Sequence, residues 1–270
     1  MHSEENQPTK NRGIWLVVWS ETSTIGKAAE SALFKGFDII QTSKDNQSGE
    51  RIYLNISDIQ SIKWFIKEFM IKYPEKKIKV LFLNAGKMII WDTLHRGNFF
   101  VRANEWDQDI NTHMHNIVLV EYLQTEWIID KETKIIYNAS TQIFAAREWF
   151  EDYARLKSIV SNMLLNNKAL DITVLALSMV KWSYMTSELE KIMKEKWNDI
   201  DLYIKKNMPE WQPTLNKVTK ITEKIIENKE ITKGKIVVLD WWRIKTLGIE
   251  IPSECIYFDE ESDSFKAIQK

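Results

Sequence analysis

The amino-acid sequence predicts an α/β protein in three layers, with a doubly wound parallel sheet of about seven strands between two layers of helices. Short apolar runs, each about as long as one buried strand, alternate along the chain with longer amphipathic segments of helical period. Parallel strands need long crossover connections, and helices in those connections cover both faces of the sheet. No internal repeat, low-complexity tract or linker divides the 270 residues. We therefore expect one domain over residues 12–242, followed by a C-terminal extension over residues 243–270.

The first part of the chain supplies four strands and two helices. The predicted strands are Gly13–Val18, Phe37–Thr42, Arg51–Ile56 and Ile78–Gly86. The first helix is predicted over Ile25–Phe34 and ends near Gly36. The second is predicted over Ile59–Tyr73, where Ser57 or Asp58 can cap its first turn with a side-chain oxygen.

The rest of the chain continues the alternation. The predicted helices are Trp106–Ile129, Phe150–Asn167 and most of Lys181–Asn228, and the predicted strands are Lys134–Asn138, Ile172–Leu177 and Lys235–Asp240. In a sheet of this kind, ligands bind beyond the carboxyl ends of the strands. Functional side chains are therefore expected in the loops that follow the strands.

Composition and charge exclude several classes of protein. A net charge of −1 argues against a nucleic-acid-binding protein, which needs a clear basic excess. No run approaches twenty apolar residues, and the polar start of the chain lacks a signal-peptide core, so we expect neither a membrane protein nor a secreted one. A single cysteine, Cys255, excludes an internal disulfide framework and favours a cytoplasmic location.

Three residues in the fifth predicted strand and the helix after it indicate proton transfer. Ser140 lies at the end of the strand, and Tyr153 and Lys157 lie four apart on one face of the helix. A phenol ionises near pH ~10, and a nearby ammonium group lowers that pKa towards neutrality. The strand-end hydroxyl can hold the substrate oxygen that exchanges the proton. The pattern favours chemistry at a carbonyl or alcohol oxygen.

The histidines of the long helix do not indicate a metal site. His113 and His115 are two residues apart, so a helix directs them to different sides. No matching cluster of carboxylates accompanies them in the sequence. We therefore predict no metal.

The order of these motifs resembles that of the short-chain dehydrogenase/reductase family, whose fold is of the Rossmann type. The resemblance covers about Gly13 to Trp242 and depends on four landmarks. They are Ser140 with Tyr153 and Lys157, the Leu-Asn-Ala-Gly sequence of Leu83–Gly86, the helix residue Asn111, and the closing strand in Ile231–Asp240.

The resemblance implies a mechanism. Tyr153 would be the general acid and base, and Lys157 would lower its pKa and hold the nicotinamide ribose. Ser140 would position the substrate oxygen, and Asn111 would support a water-linked proton path behind the lysine. A hydride would pass between NAD(P) and a small ketone or alcohol. Members of the family commonly assemble as homodimers or homotetramers, and we expect the same here.

The resemblance also implies where the dinucleotide binds. The implied contacts are Ser20, Thr24, Ile25, Gly26, Ser43, Lys44, Asn55, Ile56, Asn84, Ala85 and Gly86, together with Tyr153 and Lys157. Lys44 can pair with a 2′-phosphate, which slightly favours NADP over NAD.

The chain departs from the family in the first turn. The family has three glycines there, whereas Trp19–Gly26 retains only Gly26, with Ser20 and Thr24 at the other two positions. Those glycines let backbone amides approach a pyrophosphate. Two functions therefore stay open: an NAD(P)-dependent oxidoreductase, and a scaffold of the same fold that binds the cofactor poorly and serves as a non-catalytic binding or assembly subunit.

Overall fold

Nine strands lie in one sheet within the residues that this computed structural model describes, namely 13–18, 24–31, 37–44, 52–86, 103–144, 151–177, 214–239 and 249–268. The strands are β1 (Gly13–Val18), β2 (Phe37–Ser43), β3 (Ile52–Tyr53), β4 (Ile78–Leu83), β5 (Lys134–Ser140), β6 (Asp171–Leu177), β7 (Ile236–Val238), β8 (Cys255–Asp259) and β9 (Ser264–Ala267). The helices are α1 (Thr24–Ser31), α2 (Ile59–Lys72), α3 (Ala103–Thr125), α4 (Glu151–Asn166), α5 (Leu215–Glu227) and the single turn α6 (Lys229–Thr232).

The strand order is β3-β2-β1-β4-β5-β6-β7-β8-β9, and every neighbouring pair is parallel except β8 and β9. The chain moves outward from β1 to β3 on one side and from β4 onward on the other. This reversal opens a crevice at the carboxyl ends of β1 and β4, where ligands bind in such sheets. The predicted fold class, a doubly wound parallel sheet between helices, is confirmed.

The sheet has nine strands rather than about seven, because two strands come from the predicted C-terminal extension. Cys255 of β8 pairs with Ile236 of β7, and β9 then folds back antiparallel along β8. Cys255 and Ile256 are buried on opposite faces of the sheet. The described part of the extension, residues 249–268, therefore belongs to the same core, while residues 240–248 lie outside the described part.

The core has one layer on each face of the sheet. Along β1, Ile14 and Leu16 face the layer that contains α2, α3 and α4, whereas Trp15 and Val17 face the layer that contains α1 and α5. A strand covered on both sides buries successive side chains, which is why β1 is an uninterrupted apolar run. In the part of the chain that the structure describes, no helix has the length and apolar character needed to span a bilayer.

The end of the sheet opposite the crevice is closed by a buried ion pair. Lys134 and Asp171 begin the adjacent strands β5 and β6, and Nζ of Lys134 lies 2.8 Å from Oδ1 of Asp171. The same ammonium donates to Oγ1 of Thr232 at 2.9 Å. Both side chains of the pair are nearly inaccessible to solvent. Because each of the two buried charges has a partner, we assign this ion pair a structural role rather than a role in ligand binding.

A candidate proton-transfer site at the carboxyl ends of the central strands

The carboxyl ends of β4 and β5 are held together by two asparagine side chains. Leu83 pairs with Tyr137 in the sheet, so the residues that follow them lie side by side. Nδ2 of Asn138 donates to Oδ1 of Asn84 at 2.7 Å, and both side chains are buried. This bond fixes the start of the loop Asn84–Gly86 above the end of the sheet.

Ser140 and Tyr153 meet at this edge. Ser140 is the last residue of β5, and its Oγ accepts from the backbone N–H of Gln142, which turns the chain into a short 3₁₀ helix. Tyr153 lies in the first turn of α4 and is 5% exposed. The two hydroxyls are hydrogen-bonded to each other. A strand end and a helix start thus place two hydroxyl groups at one point.

Lys157 lies one helical turn beyond Tyr153 and completes the group. Its side chain is buried, and Nζ donates to the backbone oxygen of Asn138 at 2.7 Å. Nζ is 4.8 Å from the centre of the Tyr137 ring and 5.9 Å from the centre of the Tyr153 ring. The structure therefore brings together three of the four predicted catalytic side chains.

The electrostatics of this group differ from the sequence expectation. Burial raises the pKa of Tyr153 above its ordinary value, and the hydrogen bond with Ser140 offsets part of that rise. Burial also lowers the pKa of Lys157 to about 7. The expectation that Lys157 lowers the pKa of Tyr153 is not met in this structure. The physical reason is that desolvation outweighs the field of an ammonium group whose hydrogen bond is directed to Asn138.

Asn111, the fourth predicted catalytic residue, does not join this group. It lies on α3 and is partly exposed. His113, two residues later, is fully buried, and its ring contacts the Tyr153 ring edge-on, with 5.7 Å between the centroids. Side chains two residues apart on a helix point about 200° away from each other, so Asn111 faces away from the side of α3 that contacts Tyr153. The helix presents a histidine to the site where the sequence predicted an asparagine.

A second residue of α3 that the sequence reasoning missed is Asn116. Its buried Nδ2 donates to the backbone oxygen of Ala85 at 3.0 Å and so attaches the helix to the loop after β4. His113 and Asn116 are three residues apart and share one face of α3. His113 and Asn116 form an i,i+3 pair in line with the apolar Val120. This spacing in the sequence could have indicated which face of α3 is buried.

Gly86 lies where the loop comes closest to these side chains. A Cβ at this position would stand 2.7 Å from Cε1 and 3.0 Å from Nδ1 of His113, and 3.0 Å from Nζ of Lys157. Contacts under 3.0 Å do not occur without a shift of the neighbouring atoms. The loop can pass this close to His113 and Lys157 because residue 86 has no side chain.

The remaining predicted cofactor contacts in the described residues lie along the same edge of the sheet. Thr24, Ile25 and Gly26 form the first turn of α1, while Ser20 lies outside the described residues. Ser43 is buried at the end of β2, and Lys44, which follows it, is exposed. The N-terminal turn of a helix and a lysine beyond a strand end both suit anionic groups.

Asn55 and Ile56 organise the loop between β3 and α2. Oδ1 of Asn55 accepts from the backbone N–H of Ser57 at 3.2 Å and from its hydroxyl at 2.8 Å. The carbonyl of Ile56 lies 2.8 Å from Nδ1 of His115, which ties this loop to α3. The helix cap predicted at Ser57 or Asp58 is Asp58, whose Oδ1 accepts from the N–H of Gln60. A ligand donor directed at Oδ1 of Asn55 would therefore compete with Ser57.

The two histidines of α3 therefore have different contacts: His113 packs against Tyr153, and His115 binds the loop after β3. Across the described ranges, no three histidine, cysteine, aspartate or glutamate side chains are grouped so that they could hold a metal ion.

Comparison of whole structures relates this fold to known proteins. No protein-family model and no curated protein sequence matches the chain. Ligand-free aldohexose dehydrogenase of Thermoplasma acidophilum superposes with a TM-score of 0.67 at 16% identity, over 85% of this chain and 93% of that one. A short-chain dehydrogenase of Burkholderia cenocepacia in complex with NADP gives 0.66 at 12% identity, over 87% and 98%.

A third similar structure is the 3-oxoacyl-[acyl-carrier protein] reductase of Brucella melitensis in complex with NAD. It superposes with a TM-score of 0.62 at 15% identity, over 85% of this chain and 96% of that one. The similarity spans nearly the full length of each of these proteins. The chain therefore has the fold of the short-chain dehydrogenases/reductases.

Proposed function

We propose that the chain is an NAD(P)-dependent oxidoreductase that transfers a hydride between a nicotinamide dinucleotide and a small ketone or alcohol. One observation carries the proposal: the hydrogen-bonded hydroxyls of Ser140 and Tyr153 lie beside a buried Lys157 at the carboxyl ends of the central strands. Two of the similar structures are complexes with NADP and with NAD. A proton-transfer site on such a fold needs a hydride carrier to become a reductase.

The residues at this edge fit a nicotinamide dinucleotide. Because Gly86 has no side chain, the backbone of the loop after β4 passes directly beside Lys157, so the loop and the lysine can contact the same end of a ligand. The buried Oδ1 of Asn138 has no hydrogen-bond partner among the described residues, and a ligand donor would satisfy it. We assign the nicotinamide end to Asn84–Gly86, Tyr153 and Lys157, and the phosphate and adenine ends to Thr24–Gly26, Ser43, Lys44, Asn55 and Ile56.

The roles of the chain's own residues follow from the protonation states. A bound nicotinamide would supply or accept the hydride. Since burial raises the pKa of Tyr153, its phenol is protonated at neutral pH and can give its proton to a carbonyl oxygen. Ser140 holds that same oxygen through its hydroxyl. Reduction of a ketone is therefore the direction that the ionisation of Tyr153 favours near pH ~7.

The preference for NADP is carried by Lys44. Its exposed side chain follows the end of β2, where a 2′-phosphate on the adenosine ribose would be within reach of a lysine. We propose NADP as the preferred cofactor and NAD as the weaker one.

Self-association and location form further parts of the proposal. Ile159 and Met163 on α4 are apolar and 40% and 47% exposed, which suits a surface shared between copies in a homodimer or homotetramer. The single cysteine supports a cytoplasmic location.

A second candidate function is a non-catalytic scaffold of the same fold. Two observations favour it: the first turn retains one glycine of three, and burial moves the pKa values of Tyr153 and Lys157 away from those of an activated pair. The reductase is the better proposal because a scaffold has no need of a buried lysine beside a tyrosine.

Titration of the chain with NADPH and NADH by calorimetry separates the two functions. We expect binding of NADPH at micromolar concentration and weaker binding of NADH. Absence of binding by either cofactor at millimolar concentration would contradict the reductase.

Turnover supplies the second part of the test. Oxidation of NADPH is followed with a panel of small ketones in the unmodified chain and in Tyr153→Phe. Loss of the proton donor is expected to lower kcat by about 10²–10⁴-fold while leaving NADPH binding in place. Tyr122→Phe is the matched control, because this half-buried tyrosine on α3 lies away from the site and should leave kcat unchanged.

A further inference from the structure

Two consecutive residues of β5 contact the buried amine of Lys157. The backbone oxygen of Asn138 accepts a hydrogen bond from Nζ at 2.7 Å. The residue before it, Tyr137, lies with its ring under the same Nζ, which is 4.8 Å from the ring centre. Both side chains are buried, so water does not separate the ring from the amine. The strand therefore binds the lysine once through its backbone and once through an aromatic face.

The ring is well suited to this contact because Lys157 has no ionic partner. Burial alone lowers the pKa of Lys157, and none of the carboxylates in the described part of the chain contributes to it. The face of an aromatic ring carries partial negative charge and attracts a cation within about 6 Å. When the cation is desolvated, this attraction changes an equilibrium constant by up to about thirtyfold.

A second ring bounds the amine on the side of α4. The centre of the Tyr153 ring is 5.9 Å from Nζ, near the outer limit of such an attraction. Tyr137 is the closer of the two rings. The amine thus lies between two tyrosine rings and one carbonyl oxygen, an arrangement like the aromatic cages that bind cationic ligands.

We propose that Tyr137 is a positioning residue whose ring holds the ammonium group of Lys157 beside Tyr153, in the place that a carboxylate takes in an ordinary buried ion pair. The difference from a carboxylate matters for the site. A carboxylate in that position would cancel the positive charge of the lysine. A neutral ring leaves that charge available to a ligand at Tyr153.

The hydroxyl group of Tyr137 is not needed for this role. Its oxygen is buried and has no hydrogen-bond partner among the described residues. Burial raises the pKa of the phenol well above its ordinary value, so the group is neutral. Tyr137→Phe therefore keeps the ring face and breaks no hydrogen bond of the described residues. It is the matched control for Tyr137→Leu, which removes the ring.

The attraction is measured by urea unfolding of the full chain at about pH 6, where Lys157 holds its proton because its pKa is about 7. Tyr137→Leu is made both in the unmodified chain and in Lys157→Leu. The loss of ring packing is common to both backgrounds, so the difference between them isolates the interaction of the ring with the ammonium group. Leucine replaces the lysine here because the sulfur of methionine would itself attract the ring.

Tyr137→Leu is expected to lower the folding equilibrium constant by about 3–30-fold more in the unmodified chain than in the Lys157→Leu chain. Tyr137→Phe should lower it equally, if at all, in the two backgrounds. Equal losses from Tyr137→Leu in both backgrounds would overturn the proposal.

If Tyr137→Leu does not fold, proton NMR of the unmodified chain decides the question. The methylene protons next to Nζ of Lys157 should resonate upfield of those of exposed lysines, because the ring current of Tyr137 shields protons above its face. Their signal is assigned by its absence in Lys157→Met. A signal at the position of the exposed lysines would overturn the proposal.

The effect on turnover rests on the proposed reductase function, whereas the contact between ring and ammonium does not. Where turnover is present, Tyr137→Leu should lower kcat about tenfold or more by displacing Lys157, and the conservative variant Tyr137→Phe should rescue that loss. A difference between the backgrounds in a chain that binds neither NADPH nor NADH would keep this inference and remove the reductase. Equal losses in a chain that binds NADPH and turns over would do the reverse.

Discussion

Replacement of Lys157 by methionine is expected to stabilise the folded protein while it removes the proposed function. Lysine and methionine have unbranched side chains of similar length, so the volume of the site is nearly preserved. The change removes a buried ammonium group that has no carboxylate partner among the described residues. What it has instead is one hydrogen bond, to the backbone oxygen of Asn138.

The size of the effect follows from the pKa of Lys157. In the folded chain that pKa is about 7, against the ordinary 10.5. One pKa unit corresponds to about 1.4 kcal/mol, so burial of the charged form costs about 4–5 kcal/mol below pH 7. Loss of the hydrogen bond to Asn138 leaves its carbonyl oxygen unpaired, which costs about 1–3 kcal/mol. The expected net gain in the free energy of unfolding is therefore about 1–4 kcal/mol at pH 7.

The gain depends on pH in a fixed direction. The unfolded chain holds the Lys157 proton up to about pH 10.5, whereas the folded chain releases it near pH 7. Unfolded molecules therefore bind more protons between these values, and the stability of the unmodified chain rises with pH across that window. The advantage of Lys157→Met is largest below pH 7, and it shrinks and then reverses as the pH approaches 10.5.

Urea unfolding of both chains, followed by circular dichroism at several pH values, measures this difference. Lys134→Met is the matched control, because it makes the same substitution at an equally buried lysine. There the change leaves the carboxylate of Asp171 buried without its partner, so we expect a loss of about 3–5 kcal/mol. The reasoning is refuted if Lys157→Met is the less stable chain at pH 7, or if its advantage does not change with pH.

Two further predictions concern Gly86 and the ion pair. Gly86→Ala should weaken NADPH binding at least tenfold by calorimetry, because the new Cβ would push the side chains of His113 and Lys157 out of their present positions. Gly13→Ala is the positional control: its new Cβ would displace Lys79 at the start of β1, away from the proposed site, so the folded variant should bind NADPH like the unmodified chain even if its stability falls. The double variant Lys134→Met with Asp171→Leu should recover most of the stability lost in Lys134→Met alone, since no buried charge is left unpaired. Urea unfolding tests this last prediction, and a double variant no more stable than the single one contradicts it.

Most of the strands were predictable because a strand that is buried on both faces appears in the sequence as an uninterrupted apolar run. β1 is the predicted Gly13–Val18, and β5 extends the predicted Lys134–Asn138 by two residues. The two strands of the C-terminal extension, β8 and β9, have no apolar run as long as that of β1. β9 is mostly exposed, and β8 depends on pairing with β7, which lies about twenty residues earlier in the chain. Pairing between distant segments cannot be read from local periodicity.

The same distinction separates the predicted site residues. Tyr153 and Lys157 share a face because helical geometry fixes their relative direction, and Ser140 lies beside them because β5 ends and α4 begins at the same edge of the sheet. Helical geometry does not fix which side of α3 turns inward. The rotation of α3 about its own axis is set by its packing against α4 and the loop after β4. This packing turns His113 towards the site and Asn111 away from it.

The pKa expectation failed for a related reason. Spacing in the sequence gives the proximity of Lys157 to Tyr153, but not the depth at which both are buried. Depth is a property of the whole fold, and desolvation at that depth dominates both groups. Although Lys157 is close to Tyr153, its ammonium group is desolvated and hydrogen-bonded to Asn138, so it does not lower the pKa of the phenol as it would at the surface.

The cost of Lys157 also bears on the choice between the two proposed functions. An uncompensated buried lysine lowers stability, and a single hydrogen bond to Asn138 does not offset several kcal/mol. Ionisable groups with strongly shifted pKa values are concentrated at functional sites, where the shift serves the chemistry. Here the costly lysine contacts a tyrosine and faces a buried histidine, at the edge where the strand order reverses and ligands bind. A scaffold would be more stable with methionine at position 157, so stabilisation of the chain by Lys157→Met would support the reductase over the scaffold.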